Sequence, residues 1–159
     1  MRSAGDVTVT RAELTAPASL ALIEALDTEL AAMYPEPGAN HFQLDPEQVL
    51  GARGAFLVVR RAGAAVGCGA LRLIDDETGE LKRMYVAPDQ RGRGLGRQLV
   101  VALEAEARAR GARRLVLETG IRQHAAIALY ERCGFERIPL YGEYLSSPDT
   151  SVCLGKALN

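Results

Sequence analysis

One stretch of the chain concentrates residues suited to holding an anion. Gln90-Arg91-Gly92-Arg93-Gly94-Leu95-Gly96-Arg97 sets three glycines and three arginines in eight positions. Glycine has no Cβ, so at Gly92, Gly94 and Gly96 the backbone can come close to a ligand. The segment lies between a strand-like run and a helix-like run. The first amides of a helix have no internal acceptor and sit at the positive end of its dipole. Together these features make an anion site. Arg91, Arg93 and Arg97 add planar cationic forks that match phosphate oxygens. The ligand expected here carries a diphosphate or a group like it.

Two familiar phosphate loops do not fit. No Gly-x-x-x-x-Gly-Lys-Ser/Thr pattern occurs in the sequence. A dinucleotide fingerprint needs an early βαβ unit and an acidic ribose ligand about 20 residues downstream. Glu118 stands at that range, but the strands expected ahead of the turn are antiparallel hairpins.

The flanking elements must position the turn. Residues 7–10 alternate and are β-branched, as in a strand. Residues 17–34 carry Leu22, Ile23, Leu26, Leu30 and Met33 on one helical face, with Pro17 in the first turn and Pro35 and Pro37 as stops. A loop at 35–46 follows, and Asp45 caps a short helix. Strands 55–60 and 65–73 flank a turn, and Gly67 and Gly69 suggest a bulge or close packing. Strand 80–86 leads into the glycine-rich turn. Helix 95–110 follows it, stopped by Gly111. Then come strand 114–118, helix 125–132 and strands 135–140 and 151–154. Strand 80–86, helix 95–110 and strand 114–118 form a crossover, which requires a parallel pair. The expected fold is α/β (α+β), one domain over residues 1–159, with a mixed sheet of about seven strands and about four helices on its two faces.

Composition narrows the function classes. Apolar residues are 48 % and charged residues 25 %, as in an ordinary globular protein. The net charge of −1 argues against nucleic-acid binding, which needs a basic face. Arg108, Arg110, Arg113 and Arg114 answer a helix C-terminus more simply than they answer a phosphate backbone. Cys68, Cys133 and Cys153 are odd in number and lack CxxC spacing, so neither a disulfide framework nor a zinc site is signalled. No signal peptide and no membrane-length apolar run is visible, which points to the cytoplasm and away from a membrane.

With the turn in place, a resemblance emerges. Arg91-Gly92-Arg93-Gly94-Leu95-Gly96 resembles the Arg/Gln-x-x-Gly-x-Gly/Ala signature of the GNAT superfamily of N-acetyltransferases. Met84-Tyr85-Val86-Ala87-Pro88 looks like that family's cofactor strand and bulge. The run from Ala126 to Phe135, with Leu129, Tyr130, Gly134 and Phe135 in register, is similar to its second signature, Ala-x-x-Leu-Tyr-x-x-x-Gly-Phe. The close match covers roughly residues 78–138.

The resemblance implies acetyl-CoA as acyl donor and an amine as acceptor, without a metal. It implies that the backbone of Met84, Tyr85 and Val86 meets the pantetheine arm, between strands 80–86 and 114–118 splayed apart. It assigns the diphosphate to the amides of residues 91–97. Gln123 and Ala126 stand at the cofactor's edge, Gln123 where relatives often carry Asn. Tyr130 matches a tyrosine near the thioester sulfur.

Acyl transfer from a thioester needs a base for the amine, a donor for the carbonyl oxygen and a proton for the thiolate. Glu80 is the expected base, directly or through a water. By strand alternation it shares a face with Lys82, Met84 and Val86, and histone-acetylating relatives carry a Glu at the matching position. Tyr130 is the expected acid, since a phenol keeps its proton at neutral pH. The oxyanion donor falls to a backbone N–H at 84–86. Cys133 is expected to be structural, because the attack is direct.

The acceptor pocket implied by the resemblance includes Tyr34, His41, Phe42, Tyr141, Glu143 and Tyr144, which could hold a cationic amine partly through cation–π contact. The expected activity is acetyl transfer to a primary amine of a small molecule. A non-catalytic acyl-CoA sensor and a protein lysine or N-terminal acetyltransferase stay open as alternatives, and the 141–144 segment is equally open to a homodimer contact.

Overall fold

The computed structural model describes residues 6–36, 46–49 and 51–159. Seven strands form one sheet: β1 (Val7–Arg11), β2 (Gly54–Arg61), β3 (Ala64–Leu73), β4 (Thr78–Val86), β5 (Arg114–Gly120), β6 (Glu136–Ile138) and β7 (Ser151–Ala157), in the order β1-β2-β3-β4-β5-β7-β6. The β4–β5 pair is parallel and the other neighbours are antiparallel. The crossover between β4 and β5 runs through a helix, as the spacing requires.

Among the described residues three α-helices flank the sheet: α1 (Pro17–Met33), α2 (Leu95–Ala109) and α3 (His124–Arg132). Four were expected. The short helix anticipated after Asp45 is a pair of 3₁₀ turns, Pro46–Val49 and Gly51–Arg53. Gly51 between them has φ +66°, a conformation that interrupts an α-helix. Asp45, its expected cap, lies outside the described residues, as do His41 and Phe42.

Two cores lie on opposite faces. On one, α2 buries Leu95, Leu99, Val100 and Leu103 against Leu57, Leu71, Leu81, Leu115, Leu117 and Leu154, and α3 adds Ile127 and Tyr130. Each such leucine contributes about 2 kcal/mol by leaving water. On the other, Leu22 and Leu26 of α1 pack on Phe56, Val58, Cys68, Ala70 and Tyr85.

A bulge interrupts the β3–β4 register between Cys68 and Ala70. Opposite it, Arg83 has φ +57°, a costly conformation for arginine that the surroundings must hold. Its guanidinium pairs with Asp27 of α1 at 2.7 Å, and the Cys68 thiol donates to its carbonyl at 3.4 Å. Gly69 fits because a Cβ there would run into the Met84 sulfur. Both readings of the strand's glycines, bulge and close packing, therefore hold.

Candidate active site

β4 and β5 pair only from Thr78↔Arg114 to Leu81↔Leu117. Past that point β4 follows β3 and β5 follows β7, so the sheet splits into a V. The Ala87 N–H bonds to the Val66 carbonyl on β3 (2.8 Å). By alternation Val86 turns its own polar groups toward the V. A cavity of about 380 Å³ fills it, floored by Leu81 and Leu117 and walled by α1 and α3. That is the size range of small-molecule sites.

The glycine-rich turn borders the V. Gly92 and Gly94 have φ +79° and +81°, and a Cβ at either would meet only open space. Gly94 is the N-cap of α2, and the first helical bond runs from the Gln98 N–H to its carbonyl (3.1 Å). The amides of Leu95, Gly96 and Arg97 thus precede the helical ladder. Gly96 serves a different end: a Cβ there would lie 2.8 Å from Leu129 of α3. Arg93 and Arg97 are exposed. Arg91 was expected as a phosphate fork, but it is engaged elsewhere. Its Nε donates to the Val86 carbonyl (2.8 Å), and its Nη2 pairs with Glu29 of α1 at 2.8 Å.

The bulge also corrects the face assigned to Glu80. One extra residue at Arg83 reverses the alternation. Glu80, Lys82 and Tyr85 face α1, whereas Leu81, Met84 and Val86 face α2. Glu80 has no exposed surface and does not line the cavity. Its carboxylate accepts from Arg72 Nε (2.6 Å), the Tyr141 hydroxyl (2.6 Å) and the Tyr144 hydroxyl (3.1 Å). Burial, then the Glu80 charge, pushes both tyrosines well above the usual phenol range. The cluster fastens the Gly142–Ser146 turn to the sheet.

Lys82 and Glu118 are the first residues beyond the last β4–β5 pair, and both line the cavity. Val116 and Glu118 alternate with Leu115 and Leu117, whose side chains join the α2 core, so Glu118 shares the α1 face with Lys82. Glu118 accepts from the Ser151 hydroxyl at 2.7 Å. Burial raises its carboxyl above the usual range, against the pull of Ser151 and Lys82. Lys82 lies 3.8 Å from Glu143 and 5.9 Å from the Tyr144 ring centroid. Tyr130, on α3, lines the cavity from the opposite face, its ring edge-on to Phe135 at 5.8 Å. Burial pushes its hydroxyl well above the ordinary phenol value.

The sequence and the fold are both matched in known proteins. Residues 20–135 fit the model of the acetyltransferase (GNAT) family. An IAA acetyltransferase of Azospirillum brasilense is 43 % identical over 145 residues, 90 % of this chain and 93 % of that protein. The chain belongs to the GNAT acetyltransferase family. A crystal structure from Klebsiella pneumoniae, assigned to the acyl-CoA N-acyltransferases, superposes with a TM-score of 0.81 at 40 % identity, covering 96 % of this chain and 98 % of that one. A GNAT acetyltransferase from Elizabethkingia anophelis with acetyl-CoA bound shares the fold, with a TM-score of 0.69 at 19 % identity over 96 % of this chain and 98 % of that one.

The acetyltransferase is an acyl-CoA-dependent enzyme, and its structure gathers many of the residues singled out in the sequence. Met84, Gln123, Ala126, Tyr130, Tyr34 and Tyr144 all line the cavity. Gln123 turns its carbonyl to the Gly120 N–H (2.8 Å) and the Thr119 hydroxyl (3.1 Å). Tyr34 accepts from the Arg122 N–H at 2.8 Å, and burial raises its phenol. Tyr85 packs with the α1 core instead, its ring 5.8 Å from the Arg91 guanidinium carbon. Tyr141 reaches Glu80 and not the cavity. The sequence reading weighed Glu118 only as a ribose ligand. Its position at the split became visible once β4 and β5 were paired.

Proposed function

We propose that this acetyltransferase moves an acetyl group from acetyl-CoA to the primary amine of a small molecule in the cytoplasm, with Glu118 as base and Tyr130 as acid. The observation that carries this reading is the placement of Glu118 and Tyr130 on opposite faces of one cavity, at the point where β4 and β5 part. The thioester supplies the activated acyl carbon. Residues 92–97 offer open amides and two exposed arginines to the diphosphate, and the unpaired β4 edge at Met84–Val86 offers backbone groups to the pantetheine arm.

Glu118 removes the ammonium proton, which frees the nitrogen lone pair. A carboxyl raised by burial lies nearer the working pH and is a stronger base. The C–N bond then forms and the C–S bond breaks. Tyr130 donates its proton to the departing sulfur, and the second proton of the newly bonded nitrogen passes to the Tyr130 phenolate through solvent, giving a neutral amide and free thiol. Glu80 fits a positioning role better than that of base, because three donors already hold it. The size of the cavity between α1 and α3, about 380 Å³, suits a small acceptor.

An assay of thiol release across an amine panel tests this. Glu118→Gln should lower kcat by about 10²–10⁴-fold, with acetyl-CoA affinity retained. Glu80→Gln should cost much less. The reverse order would return the base to Glu80. Acetyl-CoA binding without turnover of any amine would favour a sensor.

A further inference from the structure

We infer that the acceptor carries an anionic group, a carboxylate in the simplest case, beside its reacting amine, and that Lys82 binds it. This inference rests on the acetyl-transfer reading and names the acceptor class for that same cavity.

The argument starts from the charges that line the cavity: Asp27, Lys82, Arg83 and Glu118. Arg83 and Asp27 are closed on each other at 2.7 Å, a pair that holds the bulge. Lys82 and Glu118 stand where the strands part, one on each arm of the V and both on the α1 face. An acceptor must enter from that side, since the α2 face is filled by the leucine core. It therefore meets a carboxylate and an ammonium together.

The Lys82 side chain is only 6 % exposed. A cation so enclosed repels a second cation strongly, because the surroundings screen it poorly. A simple alkylamine offers Glu118 an ammonium but brings Lys82 no anion, and a polyamine adds a second cation beside a lysine that Glu143 and Glu118 already balance. An amino-acid-like acceptor sets its ammonium against Glu118 and its carboxylate against Lys82, and each charge finds its complement. Glu143, 3.8 Å from Lys82, balances the lysine before the acceptor arrives. It is 40 % exposed on its side chain, so a bound carboxylate can take its place while Glu143 turns to water.

The tyrosines agree with this assignment. The Tyr34 hydroxyl is committed to Arg122, and that of Tyr144 to Glu80. Lys82 stands 5.9 Å from the Tyr144 ring centroid, so that ring already faces a cation. A cage of aromatic faces for a substrate cation is not what the cavity presents.

The test uses paired acceptors that differ only in the anion: amino acids, their methyl esters and the corresponding decarboxylated amines, each with acetyl-CoA. Thiol release gives kcat/KM, and titration calorimetry on the protein saturated with CoA gives binding. The wild-type protein should prefer the acids. Lys82→Met should lower kcat/KM for the acids about ten- to a hundredfold through KM, the size of one charge-assisted hydrogen bond. It should bring the acid-to-ester ratio near one, and Lys82→Arg should restore part of it. Acetyl-CoA affinity in all three proteins reports that the fold is intact. Turnover of esters or amines in preference to acids would overturn the inference and leave acetyl transfer standing. An equal loss on acids and esters in Lys82→Met would do the same. Lys82-dependent binding of acids without turnover would sustain the acceptor class and overturn the transfer reading. Neither binding nor turnover of any acid, ester or amine would overturn both.

Discussion

At the scale of single residues, the site is a contrast between a buried glutamate, Glu80, and a half-buried one, Glu118. Glu80 is saturated with donors, whereas Glu118 accepts from the Ser151 hydroxyl and has a cavity in front of it. Burial raises the Glu118 carboxyl, so its protonated form is favoured in the folded chain. Its contribution to stability is complete below the ordinary carboxylate value and is lost as pH rises through the raised one. Once ionised, Glu118 therefore costs stability. Glu118→Gln should raise or preserve Tm above the raised carboxyl range while lowering kcat by about 10²–10⁴-fold, and a fall in Tm would show that the charge is compensated. The same shift places the acidic limb of wild-type kcat/KM above the ordinary carboxylate range, readable from a pH–rate profile. Tyr130→Phe removes the proton donor but keeps the ring against Phe135. It should slow kcat by about 10²-fold or more and leave the acetyl-CoA Kd within a few-fold. Cys133, outside the cavity lining, has its thiol raised by burial, and Cys133→Ala should retain turnover.

At the scale of elements, the glycine-rich turn separates two roles that its sequence blends. Gly94 caps α2 at φ +81° with open space where a side chain would point. Gly94→Val should raise the acetyl-CoA Kd at least tenfold, through backbone strain and blocked approach. Gly96 instead lets α2 lie against Leu129. Gly96→Ala should lower Tm first and affinity second, and calorimetry beside thermal melting distinguishes the two. Much of this was legible beforehand. The crossover spacing, the turn and Tyr130 follow from patterns local in sequence. The bulge was harder to place. Gly69 hinted at it, but its effect on β4 lies at Arg83, fourteen residues away and across a strand pair. A two-residue alternation carried through that point put Glu80 with Met84. Glu118 was equally hidden, since its meaning depends on where β4 and β5 stop pairing, and that is a property of two distant strands together.

At the scale of the whole molecule, α1 and the segment that follows it are held over the cavity by charge at three corners. Arg83 of the bulge meets Asp27, Arg91 of the glycine-rich turn meets Glu29, and Arg122 after β5 meets Glu36. The Arg122 guanidinium also lies 4.9 Å from the Tyr34 ring centroid. Under the proposed function each of these segments lies beside the acyl donor, so the two substrates would share their anchors. Solvent-exposed pairs of this kind add little to stability singly, and salt screens them. Their greater effect is to fix the angle of α1. Glu29→Gln combined with Glu36→Gln, leaving the cavity-lining Asp27 in place, should change Tm only slightly. It should raise the acceptor KM severalfold while the acetyl-CoA Kd stays level or falls, because Arg91 is released from Glu29 toward the diphosphate. Raising the ionic strength should bring the wild-type acceptor KM toward that of the double variant. Loss of acetyl-CoA binding in that variant would instead mean that the Arg91–Glu29 pair shapes the turn itself.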